Sequence, residues 1–143
     1  MEVADRIELS YALRKQGYNC AQCVIAAYSD FLDITQEQAI KISYGFGGGF
    51  GGQRELCGCL SGAAMVVGML FGQEQADLKL RKEIYQKITK FCDDFESKYH
   101  SKICAELLGI NKKEMERVHK TCNDLIVHTI EVLNDYILYT SID

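Results

Sequence analysis

Proline is absent from all 143 residues. Its absence removes the residue that most reliably breaks a helix interior, so long uninterrupted helices are permitted. Convincing runs of alternating apolar and polar residues are also missing, and with them the mark of a half-buried strand. No internal repeat is visible. The longest apolar stretch, around Ala63 to Phe71, is too short and too broken by glycine to span a bilayer. The opening segment, MEVADRIELS, is acidic and amphipathic and lacks the basic start and apolar run of a secretory signal. Positive charge is in deficit: 16 Lys and Arg against 20 Asp and Glu leave a net charge of −4. That balance, with a pI of about 5.4, argues against a general nucleic-acid binder. These absences predict a cytoplasmic protein with neither a membrane nor nucleic acid among its partners.

What is present fits a soluble globular chain: 48% hydrophobic and 25% charged residues. The length suits one domain over residues 1–143. A chain of this size buries roughly 68–70% of its unfolded surface, so its core needs no disulfide staples. Seven cysteines are nevertheless present, a high number. In a reducing compartment, clustered cysteines point to catalysis or metal binding more than to structural disulfides.

The chain reads as helices punctuated by glycine and cap residues. Residues 3–16 form an amphipathic helix ended by Gly17. Asn19 caps a second helix running to about Leu32. Thr35 and Gln38 have capping-box spacing and open a third, to about Tyr44. GFGGGFGG follows at residues 45–52, with six glycines in eight positions. Such a backbone can take left-handed turns and let a ligand come close. The fourth helix, from about Cys57 to Phe71, is rich in small residues (Gly58, Ser61, Gly62, Ala63, Ala64, Gly68), which predicts a tight helix crossing or a close ligand. Residues 76–99 form a long helix with Ile84, Ile88, Phe91 and Phe95 as its buried stripe. A short apolar turn carries Cys104 to Gly109. Asn111 and Glu114 open a last helix to about Tyr139, whose inward stripe is Met115, Val118, Cys122, Leu125, Thr129, Val132 and Tyr136. The fold class predicted is an all-α bundle, with helices long enough to pair in a homodimer.

The cysteines carry the chemistry. Cys20 falls in the first turn after Asn19, where free N–H groups and the helix dipole favour a thiolate. Cys20, Val24, Ala27 and Phe31 share one stripe, and Cys23 lies about 60° from Cys20. Two buried thiols in a core explain YNCAQC equally well. Cys57 and Cys59 lie about 200° apart on a helix and cannot both face one site if the helix begins at or before Cys57. Cys57 sits at the loop–helix junction with Arg54 just upstream to stabilise a thiolate. Cys59 then reads as packing, as does Cys92 beside the long helix's stripe.

Taken together, NCAQ at residues 19–22, GGGFGGQRELCGCLSGA at residues 47–63, CAELLG at residues 104–109 and a lone Cys122 form a recognisable order. It resembles the C_GCAxxG_C_C family of small redox-active proteins. The glycine loop followed by Cys-Gly-x-x-x-Gly is the most specific part. The resemblance implies that Cys20, Cys57, Cys104 and Cys122 are the signature cysteines. Position 59 is usually alanine in the pattern and is Cys59 here; Cys23 and Cys92 stand outside it.

Two mechanisms suit one constellation. In dithiol–disulfide exchange, a low-pKa thiolate at Cys57 or Cys20 attacks a disulfide or an oxidised small molecule, and a second cysteine resolves the intermediate. Arg54 lowers the nucleophile's pKa, and Gly47, Gly48, Gly49 and Gly58 give the ligand room. The partner is then a small-molecule thiol or disulfide, or a redox protein, and no cofactor is needed. Alternatively the four thiolates hold an iron–sulfur cluster or a zinc ion, and the protein transfers electrons. A third class is a helical interaction protein with inert thiols.

Several motifs are set aside. Gly47, Gly49 and Gly52 satisfy GxGxxG, but a helical pattern precedes them where a strand is required, and no P-loop lysine follows. No CxxCH motif is present for covalent haem. His100 and His119 lie four and three residues before a cysteine and, like His128, read as solvated or satisfied histidines. Tyr136 and Tyr139 read as packing, and the charged run from Lys79 to Lys90 as a wet helix face.

Overall fold

The computed structural model describes residues 1–110 and 122–142. Among them run α1 (Val3–Lys15), α2 (Cys20–Ala26), α3 (Gln36–Ser43), α4 (Gly58–Phe71), α5 (Leu78–Tyr99), α6 (Cys104–Leu108) and α7 (Asn123–Ile142), with a 3-10 turn at Tyr44–Phe46. The fold is all-α. No strand forms among the described residues, and the nearest approach is one antiparallel bridge between Leu56 and Ile103. No described helix is long and apolar enough to cross a membrane.

The central element is α2, all seven of whose residues are buried. It touches α1, α3, α4 and α7. A helix without charge can sit there because its one amide side chain is satisfied. Gln22 Oε1 accepts from the Asn19 amide at 2.9 Å, and its Nε2 donates to the Ile40 carbonyl at 3.2 Å. The capping boxes at Asn19/Gln22 and Thr35/Gln38 are both closed. On α5, Phe91 and Phe95 are buried while Ile84 and Ile88 are partly buried against the same core.

Two helix expectations need correction. α2 stops at Ala26 and does not reach Leu32. The ladder tightens there: Tyr28 and Ser29 donate three residues back, to Ile25 and Ala26. Side chains take over the carbonyls, with Ser29 Oγ on Ala26 O at 3.0 Å and Arg6 Nη1 on Ala27 O at 2.6 Å. Phe31 consequently leaves the stripe and is 38% exposed. Cys122 stands immediately ahead of α7, not within it, and its carbonyl accepts the Ile126 amide at 3.0 Å. The most buried stripe of α7 is Ile126, Thr129, Ile130 and Leu133, with Val132 and Tyr136 only partly buried. Asn111, Glu114, Met115, Val118 and His119 lie outside the described residues.

Arg6, on α1, is 3% exposed. It pairs with Asp30 at 2.6 Å and lies 4.6 Å over the Tyr28 ring, whose hydroxyl donates to Ile130 O at 2.5 Å. Arg6→Met leaves the Ala27 carbonyl without its side-chain donor, which costs about 1–3 kcal/mol. The cation–π contact contributes about 0.5–1 kcal/mol. Asp30 is 45% exposed and rehydrates, so the ion pair itself adds little. Thermal unfolding of the variant is expected roughly 4–8 °C below wild type, about 2 kcal/mol of lost stability.

Candidate thiol site

Each signature cysteine stands at the start of a helix. Cys20 is the first residue of α2, Cys57 holds the N-cap position of α4, Cys104 opens α6, and Cys122 directly precedes α7. Three devices bring these starts together. The first is the close crossing of α2 and α4. A Cβ on Gly58 would stand 3.2 Å from the Ala21 amide nitrogen and 3.4 Å from Cys20 Cβ, and one on Gly62 would stand 2.9 Å from Val24 Cβ. The small residues of α4 therefore serve a helix crossing, although Gly68 meets nothing. The second is Asn19, whose Nδ2 donates to Tyr44 O at 3.1 Å and ties the start of α2 to the glycine loop.

The third device is the loop itself. Gly48, Gly49, Phe50, Gly51 and Gly52 all have positive φ, between 58° and 79°. Five successive left-handed residues are accessible to this chain because four are glycine. The turn is closed by Arg54 N–H on Gly48 O at 2.9 Å and Glu55 N–H on Gly49 O at 2.8 Å. The strand-like segment it delivers then pairs with the approach to α6: Cys57 N–H donates to Lys102 O at 2.9 Å and Cys104 N–H to Glu55 O at 2.6 Å. Cys57 and Cys104 are thus neighbours through main-chain bonds, despite their separation in sequence.

The four sulfur-bearing residues wall one cavity of about 200 Å³. Arg14, Asn19, Arg54, the glycines Gly48, Gly49 and Gly58, and Leu107, Leu108 and Leu125 complete its lining. Cys20, Cys57, Cys104 and Cys122 are between 4% and 8% exposed, so all four are buried in its wall. Gly47 is not a lining position: it backs onto Asn19, whose side chain a Cβ there would overlap.

A protein-family comparison matches residues 18–136 to the family described as "Putative redox-active protein (C_GCAxxG_C_C)". The chain belongs to that family. Comparison with curated proteins and with solved structures gave no significant match. In this C_GCAxxG_C_C protein none of the seven cysteines is disulfide-bonded.

The thiols of the C_GCAxxG_C_C site are electrostatically linked. Cys59 lies close enough to Cys57 and Cys20 to perturb the proton affinity of Cys57 and to have its own raised by both, and Cys20 likewise raises that of Cys122. Their proton affinities diverge. Cys57 is pulled below the ordinary thiol value, first by the Cys59 thiol it faces and then by the backbone N–H groups of Cys59 and Leu60, against burial and the nearby Cys20. Cys59 is pushed well up by Cys20 and Cys57 and by complete burial. Cys122 is pushed up by Cys20 and by burial. Burial also raises Cys104, in part offset by Arg54, and takes Cys23 up to about 12. A thiol of lowered proton affinity beside thiols of raised affinity is the arrangement that makes a single sulfur nucleophilic. Among the described residues, no group of three or more His, Cys, Asp or Glu side chains is arranged to hold a metal ion.

Arg54 departs from its expected neighbour. Its Nη1 faces Cys104 Sγ at 3.6 Å, because its left-handed backbone (φ 61°) and the bond from Ala105 N–H to Arg54 O at 3.1 Å turn it towards α6. Cys59 departs from the packing role read for it. Cys57 precedes the helix with ψ 131°, so the angular separation that applies inside a helix does not apply to the pair. Arg14 was not singled out by the sequence reading. The available signal was its place in the last turn of a helix that ends at a glycine and is followed at once by a capping asparagine, which folds that turn over the next helix start. Arg14 Nη1 is held by Tyr18 O at 3.0 Å.

Of the side chains set aside, His100, His128 and Tyr136 do not line the cavity, and His119 lies outside the described residues. His100 ends α5 in a left-handed cap (φ 68°) and shares no helix with Cys104. His128 packs on Tyr99 and Phe95. Tyr136 packs on Phe91. Cys23 is fully buried, its thiol 3.8 Å from Tyr18 O, and Cys92 is partly buried at the core's edge.

Proposed function

We propose that this protein is a thiol oxidoreductase that exchanges two electrons with a disulfide through Cys57 and Cys20. The observation that carries this reading is that Cys57, with depressed proton affinity, and Cys20 wall one cavity together. The Cys57 thiolate attacks one sulfur of the substrate, forming a mixed disulfide and expelling the other sulfur as a thiolate. Cys20 sulfur then attacks Cys57 sulfur, closing a Cys20–Cys57 disulfide and expelling the second substrate sulfur, while the Cys20 proton passes to a departing thiolate. The substrate disulfide gains two electrons and the protein dithiol loses two. Cys59, close to both, stabilises the thiolate on one and then the other. Cys104 and Cys122 complete the wall, and Arg54 holds Cys104 in place.

The test is thiol counting with mass mapping on anaerobically purified protein. One equivalent of a small disulfide is expected to consume two thiols per chain and yield a Cys20–Cys57 bond that a reductant reverses. Stoichiometric iron and sulfide, or one zinc per chain, with those thiols unreactive would replace this reading with the cluster or zinc reading of the same four sulfurs. Unreactive thiols with no metal would replace it with an inert helical protein.

A further inference from the structure

Two guanidinium groups reach the thiol cavity, and neither has a carboxylate partner among the described residues. Arg14 is held by a single backbone carbonyl, Tyr18 O. Arg54 meets one sulfur through Nη1, and its Nε–H is buried with no hydrogen-bond acceptor among the described residues. No acidic side chain lines the cavity among the described residues. A chain with a net charge of −4 has thus gathered two cations around its sulfurs with no carboxylate partner among the described residues. An unpartnered buried donor costs about 1–3 kcal/mol. A positive-φ conformation for a non-glycine residue adds strain, held at Arg54 by main-chain bonds on both sides. Such costs concentrate where a ligand repays them.

We infer that the cavity is an anion site, and that the substrate of the proposed exchange is a small disulfide carrying a carboxylate or sulfonate group. The inference rests on the thiol-exchange reading for the reaction and adds the chemical class of the substrate. The anionic group lies between Arg14 and Arg54, and the disulfide lies against Cys57 at the start of α4, a 14-residue helix. Gly48 and Gly49 line the wall on that side. At about 200 Å³ the space is smaller than the roughly 300–1,000 Å³ of pockets for drug-sized ligands, which selects a small organic acid over a peptide or a nucleotide.

The experiment uses the reduced full-length protein and two alkylating reagents of like size, anionic iodoacetate and neutral iodoacetamide. The rate of Cys57 labelling is read by mass spectrometry, with the same ratio measured on the urea-unfolded chain as reference. The iodoacetate-to-iodoacetamide ratio is expected to exceed the reference by about tenfold, the low end of what focused charge does in a cleft, and to fall with added salt. Arg14→Gln and Arg54→Gln each lower the ratio towards the reference, and Arg54→Lys retains most of it. Should a variant fail to fold, wild type alone decides: dithiodipropionate, an anionic disulfide, oxidises it about tenfold faster than neutral hydroxyethyl disulfide. Fast labelling by iodoacetamide with no preference for either anion overturns the anion site and leaves thiol exchange standing. Slow labelling by both reagents overturns the thiol reading and the substrate class with it.

Discussion

Cys57→Ser is expected to remove the fast-reacting thiol of the reduced protein, slowing alkylation at pH 7 by on the order of 100-fold or more. The magnitude follows from how the protons are distributed. A thiol at the ordinary value of about 8.5 is only a few per cent thiolate at pH 7, and each further unit of elevation removes another factor of ten. Cys23, Cys59, Cys92, Cys104 and Cys122 are all raised, so none of them substitutes for Cys57, and mass mapping of the labelled residue separates Cys57 from Cys20 in the same cavity. The companion variant, Cys59→Ala, isolates the cause. Thiolate accumulates as pH rises through the folded-state pKa, and Cys59 is the first contributor holding that pKa down. Removing its S–H donor moves the reactivity curve of Cys57 to higher pH and past the ordinary thiol value, because burial and Cys20, which raise it, each outweigh either of the backbone N–H bonds from Cys59 and Leu60. Alkylation rate against pH is the measurement, and coincident curves for wild type and Cys59→Ala would remove Cys59 from the account.

The second large effect is structural. Gly49→Ala puts a Cβ 2.6 Å from Cys104 Cβ, 2.7 Å from the Glu55 nitrogen and 2.8 Å from the Arg54 carbonyl carbon, at φ 66°. Two of those three neighbours are backbone, and the third carries a signature sulfur. Left-handed geometry costs a non-glycine residue about 1–2 kcal/mol. Overpacking against atoms that cannot swing away adds about 1–3 kcal/mol. The variant is expected to lose about 2–5 kcal/mol, a large share of the 5–15 kcal/mol typical of a domain, and to raise the accessibility of Cys104. Gly52→Ala is its matched control: φ is 79° but no atom lies within 4 Å. It is expected to lose about 1–2 kcal/mol, from backbone strain alone. Urea midpoints for the two variants decide whether the loop's glycines serve packing against α6 or conformational freedom only. Equal losses would reject the packing role of Gly49.

The candidate site was partly legible in the chain. Asn19 with Gln22 and Thr35 with Gln38 announce helix starts through contacts spanning three residues, and both boxes close. A cysteine beside such a start is open to reading as a thiolate because the local free N–H groups are a property of the helix end itself. Cys20 and Cys57 could be read in this way. Cys122 could not, since it was assigned to the interior of a helix that the structure begins one residue later. Cys59 and Arg14 were passed over for a related reason. Each acts across a junction between elements, and a helical wheel describes only the inside of one.

Periodicity, caps and the missing proline by themselves determined an all-α chain with its helices in nearly their final places. Hydrogen bonds three or four residues apart and a 3.6-residue repeat are local, so composition controls them. The order of cysteines and glycines determined family membership. Only the tertiary structure decided that Arg54 turns to Cys104, that Cys59 lies close to Cys57 and Cys20, and that Arg14 lines the cavity. Those outcomes depend on a left-handed glycine turn, on two helices crossing at glycine contact, and on main-chain bonds between residues 49–57 and 102–105. Such bonds join atoms that are distant along the chain, and no local preference encodes which pairs will meet.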